Sequence, residues 1–135
     1  MSDLNSYDTR VRAIQAYNQP ILDSFRAWLK QSGLSDRIVE SHVDNIDFFT
    51  HYLVYSEPLK KLDEADSSDV WMFLSDWFPR KAMWASVTSM KSYFASFKKF
   101  FRWMGETGRV SPETVADVLT TLKDSRDEFL EAVEY

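Results

Sequence analysis

The chain offers nucleophilic and metal chemistry few candidates: its only histidines are His42 and His51, and it has no cysteine. His42 falls on the apolar stripe of a helical pattern, the place of a hydrogen-bonded core histidine and not of a ligand or base. No HExxH, GxxxxGK[ST], GxSxG or EF-hand pattern occurs, and no cluster has metal-ligand spacing. Carboxylates are plentiful, yet nothing in their pattern would push the pKa of one away from that of another, as an acid/base pair requires. The expectation is a non-enzyme without metal or cofactor.

The side chains left to do chemistry are cations. Turned at about 100° per residue, the stretch Ser86 to Gly108 puts Met90, Phe94, Phe97, Phe101 and Met104 on one arc. Lys91, Lys98 and Arg102 fall nearly opposite, with Arg109 one turn further along the same line and Thr88 and Lys99 beside it. From Trp84 to Val110 five cations stand against one carboxylate, in a chain of net charge −5. Charge segregated in this way suits an anionic partner, and a row of exposed Lys and Arg is what grips nucleic-acid phosphate. Trp84 and Trp103 lie off the main apolar arcs and are the candidates for stacking on bases.

Helices must position these groups. Ser86 can cap the central helix, and Gly105 or Gly108 offers the left-handed residue that ends it. Residues 1–18 read as an N-terminal arm or short helix. Pro20 then opens a helix at its first turn, with Asn18 as a possible cap, and Gly33 stops it. Ser35 caps the next helix, which Pro58 ends near Ser56; its outer side carries Glu40, Asp44 and Asp47. Asp66 or Ser67 begins a shorter helix that Pro79 ends. Ser111-Pro112-Glu113 is a strong start signal for a final amphipathic helix or helix pair, with two basic against seven acidic residues.

No stretch alternates with the period of a half-buried strand, so the fold reads as all-α. At 135 residues the chain can bury a real core as one domain. Without a bilayer-length apolar run or a signal-peptide pattern, the expected localisation is cytoplasmic.

The order of elements resembles the core-binding domain of tyrosine recombinases, the phage-integrase family. The matching residues are Phe25 to Leu29 (FRAWL), Gly33-Leu34-Ser35, Leu62 to Asp66 (LDEAD) and Asp69 to Leu74 (DVWMFL). They continue with Ser86-Val87-Thr88, Lys98 to Trp103 (KKFFRW), Gly108 and Ser111-Pro112. The resemblance implies a four- to five-helix orthogonal bundle over 19–110, SAM-like, with an acidic amphipathic helix over 111–135 appended. It implies double-stranded DNA as partner, gripped by the second and fourth helices. Carried over position by position, the contacts are Lys81, Thr88, Lys91, Lys98, Lys99 and Arg102, with Arg37, Ser41 and Asn45 on the second helix. The family's separate catalytic domain has no counterpart: neither histidine is followed by Arg three residues on, and Tyr135 has no such domain around it. A second reading uses the same scaffold for protein interaction or homodimerisation, the acidic 111–135 helix docking on the basic edge and excluding DNA.

Overall fold

The computed structural model describes residues 6–134, and every regular element among them is helical. These are α1 (Tyr7–Gln31), α2 (Asp36–Leu53), α3 (Ser67–Met72), α4 (Phe78–Lys81), α5 (Val87–Glu106), α6 (Pro112–Asp124) and α7 (Arg126–Glu131). A 3₁₀ turn spans Leu62–Glu64, and a π turn, Phe73–Trp77, joins α3 to α4. Among the described residues no helix is long and apolar enough to cross a membrane. The chain divides into two compact units, Met1–Glu64 and Ala65–Tyr135.

In the first unit α1 packs on α2, and Leu22, Phe25 and Leu29 are buried with Val39, Val43, Ile46 and Phe49. Residues 7–18 are helical, but as part of one 25-residue helix with Pro20 inside, which corrects the arm, the separate short helix and the helix start at Pro20; residues 1–5 of the expected arm lie outside the described residues. A proline inside a helix removes a hydrogen bond and crowds the carbonyl four residues back, at about 3 kcal/mol. The segment after α2 meets the N-terminal half of α1 through side-chain contacts. Tyr7 donates its hydroxyl to the Val54 carbonyl, Arg10 pairs with Glu57, and Tyr17 donates to Asp63. Asn18 is buried, and its side-chain oxygen accepts the Leu62 N–H at 3.0 Å, so it ties two segments together instead of capping a helix. Helix α2 begins as its capping residue dictates, Ser35 accepting the Ile38 N–H at 3.3 Å, and it ends at Leu53, ahead of Pro58.

The second unit is built on α5, whose buried side includes Met90, Tyr93, Phe94, Phe97, Phe100, Phe101 and Met104. Phe73 and Phe78 meet Tyr93 at ring-centre distances of 5.5 and 4.6 Å. Pro79 does not end the helix before it; α4 continues to Lys81. The π turn explains this, since the Phe78 N–H already bonds five residues back to Phe73, and the register is wide where the ring would otherwise crowd a carbonyl.

The ends of α5 follow its local chemistry. Ser86 and Ser89 form a reciprocal capping box, and Gly108, at φ +74°, provides the left-handed residue beyond the C-terminus. Gly105 is not a stop. It lies inside α5, where a Cβ would come within 2.5 Å of Val115 Cγ2, so its bare backbone lets α6 approach. Ser111 accepts the Thr114 N–H at 3.1 Å to start α6, and Val118, Leu122 and Phe129 are buried as α6 and α7 pack against α5.

Candidate nucleic-acid interface

The side chains on the outer side of α5 are the ones sequence periodicity selects. Lys91, Lys98 and Arg102 are exposed along it, Thr88 is exposed in its first turn, and Lys99 is half-buried. At about 1.5 Å rise per residue, Lys91 and Arg102 stand roughly 16 Å apart along the axis, which is about five base-pair steps of a duplex. Lys81, at the end of α4, is exposed as well.

The cations of α5 differ in their pairing from three arginines elsewhere among the described residues. Arg10 is paired with Glu57, Arg26 with Asp23 and Glu40, and Arg80 with Asp76. The hydrogen bond from Arg80 holds the Asp76 carboxyl below its ordinary pKa, and the one from Arg10 does the same to Glu57. Among the described residues no ion pair engages Lys91, Lys98, Lys99 or Arg102. A cation already bonded to a carboxylate has little to offer phosphate; an unpaired, exposed one presents its full charge.

Three expectations change at this surface. Arg109 does not extend the row: its guanidinium lies 4.4 Å from the centre of the Trp103 ring. Trp103 is 3% exposed and belongs to the core, so it cannot stack on a base, whereas Trp84 is 53% exposed and meets Phe78 at a steep interplanar angle. The acidic C-terminal segment does not cover the basic edge in cis. It packs through Val118, Leu122 and Phe129, leaving Glu113, Asp117, Asp124, Asp127, Glu128 and Glu131 exposed.

The second-helix candidates belong to the first unit. Arg37 and Ser41 are exposed on α2, and Asn45 is half-buried with a partner of its own. Asp44 is exposed two turns beyond Arg37 and one turn before the exposed Asp47, so this helix carries anions where α5 carries cations.

Two cations escape a segment-by-segment charge count, Lys123 and Arg126. They are the only positive residues after Ser111, in a segment that reads as acidic. Folding sets them with Lys98 and Arg102 around one groove, whose apolar lining includes Phe94 and Leu122. The available signal was their spacing of three beside the buried Leu122, which fixes them to the margin of the apolar face. Among the described residues no group of three or more His, Cys, Asp or Glu is placed to hold a metal ion. Comparison with known proteins finds no matching family model, no matching curated protein and no matching solved structure.

Proposed function

We propose that this chain is a non-catalytic module that binds double-stranded DNA through the outer edge of α5, in the manner of the core-binding half of tyrosine recombinases. The observation that carries the reading is the row of Lys91, Lys98 and Arg102, exposed and without ion pairs among the described residues, while Arg10, Arg26 and Arg80 are each neutralised. A continuous helix of 20 residues holds the row at helical spacing, so little order has to be created on binding. The recombinase likeness rests on the ordered helix motifs alone; phosphate binding follows from the cations.

Contacts of this kind position a protein on a duplex without reading bases, so the module binds with weak sequence preference. The test is fluorescence anisotropy of a short duplex at low salt, with wild type and with Lys91→Glu, Lys98→Glu and Arg102→Glu combined. Binding by the wild type and its loss in the triple variant, whose helicity and unfolding midpoint are retained, is the expected result. Equal binding by both proteins would refute the assignment of the edge.

A further inference from the structure

Where the duplex-binding edge passes Lys98 and Arg102, the second unit also holds a concave site that adds cations from two further helices. A groove of about 300 Å³ is walled by Lys98 and Arg102 of α5, Lys123 of α6 and Arg126 of α7. Phe94 and Leu122 line it, and among the described residues no carboxylate side chain does. None of the four cations has an ion pair among the described residues. Arg126 is held in place by its guanidinium, which lies 5.1 Å from the centre of the Phe94 ring. That contact orders the planar group while leaving its N–H fork available.

We infer that this groove binds a compact anion bearing adjacent phosphates, a di- or triphosphate group. Four like charges around one groove repel one another, and a ligand of matching opposite charge relieves that repulsion. One phosphodiester of a duplex brings a single charge, whereas a triphosphate brings several within the same few ångströms. Because the four cations converge on one concavity, their fields add there, which a single side chain along the row of α5 does not match. Two guanidiniums suit bidentate contact with phosphate oxygens, and two ammoniums add point charges that adjust to the chain between them. The volume lies at the lower end of small-molecule sites, which span about 300–1,000 Å³. A triphosphate group has two sources, inorganic tripolyphosphate and a nucleoside triphosphate, and both present the same chemistry to the four cations.

Isothermal titration calorimetry of the full chain with inorganic tripolyphosphate, at low salt and without divalent cations or DNA, tests the site independently of the duplex-binding reading. The expected result is saturable one-to-one binding, with Lys123→Gln and Arg126→Gln each weakening it by about tenfold, the scale of one lost charge-assisted contact. Lys30→Gln, which removes an exposed lysine of α1 outside the groove, leaves the affinity unchanged. Because Lys123→Gln disturbs no buried group, its effect is readable even if Arg126→Gln loosens α7. Adenosine triphosphate binding as well as tripolyphosphate shows recognition of the phosphate chain alone, and tighter binding shows that the base meets the apolar lining; both support the site. Absence of saturable binding, or equal weakening by Lys30→Gln, overturns it.

Discussion

Gly105→Ala is the most exacting probe of how the second unit is assembled. In an isolated helix the change would be favourable, since Ala exceeds Gly in helix propensity by about 1 kcal/mol. Within α5 the added Cβ would meet Val115 Cγ2 at 2.5 Å. Val115 is β-branched and sits on α6, so its rotamer is stiff and the overlap has to be relieved by moving one helix against the other. Overpacking of this kind costs about 1–3 kcal/mol, which outweighs the propensity gain and leaves a net loss of about 1 kcal/mol. Removing the obstacle reverses the sign: in a Val115→Ala background, Gly105→Ala should stabilise by up to about 1 kcal/mol. The double-mutant cycle therefore carries a coupling of about 1–3 kcal/mol. Urea unfolding followed by tryptophan fluorescence measures it, because Trp71, Trp77, Trp84 and Trp103 all lie in the second unit and only Trp28 in the first. Stabilisation of the wild-type background by Gly105→Ala, with no coupling to Val115, would refute the close approach of α5 and α6, and with it the groove that their packing forms.

Four further outcomes are expected. Three phosphate contacts, from Lys91, Lys98 and Arg102, give a slope of log affinity against log salt of about −2.7 and a loss of about 40-fold between 50 and 200 mM, and Arg102→Gln should flatten the slope by about 1 in anisotropy titrations. Asn18→Ala leaves the buried Leu62 N–H without its acceptor and should cost about 1–3 kcal/mol, seen in denaturant unfolding and as faster hydrogen exchange at Leu62. Trp103→Ala should destabilise by about 3–5 kcal/mol as a core truncation, so a loss of DNA binding without a stability change would contradict its burial. Glu57 has its pKa lowered by the Arg10 hydrogen bond, so this pair's contribution is complete above the unfolded Glu value of about 4.3 and fades as pH falls through the lower folded value. Glu57→Gln should remove that acid-side dependence, followed by amide NMR of α1 across an acid titration.

Local signals were legible because they act within a few residues. Ser35, Ser86 and Ser111 start their helices as their side-chain oxygens require, Gly33 and Gly108 end theirs at positive φ, and the apolar arc of α5 is its buried side. The exposure of Lys91, Lys98 and Arg102 follows from the same periodicity. Residues whose meaning depends on a distant partner were not legible. Pro20 reads as a helix start until the segment from Val54 to Asp63 is seen to meet the helical turns that precede it. Trp103 and Arg109 read as free until they are found against each other.

The sequence by itself determined the helical class, most of the helix boundaries and the cationic edge, since periodicity and capping are properties of short stretches of chain. Only the tertiary structure decided that Gly105 admits α6, and that Lys123 and Arg126, cations of an acidic segment, stand beside Lys98 and Arg102. Charge counted along the chain averages over both sides of a helix, whereas packing selects one side and sets it against a neighbour.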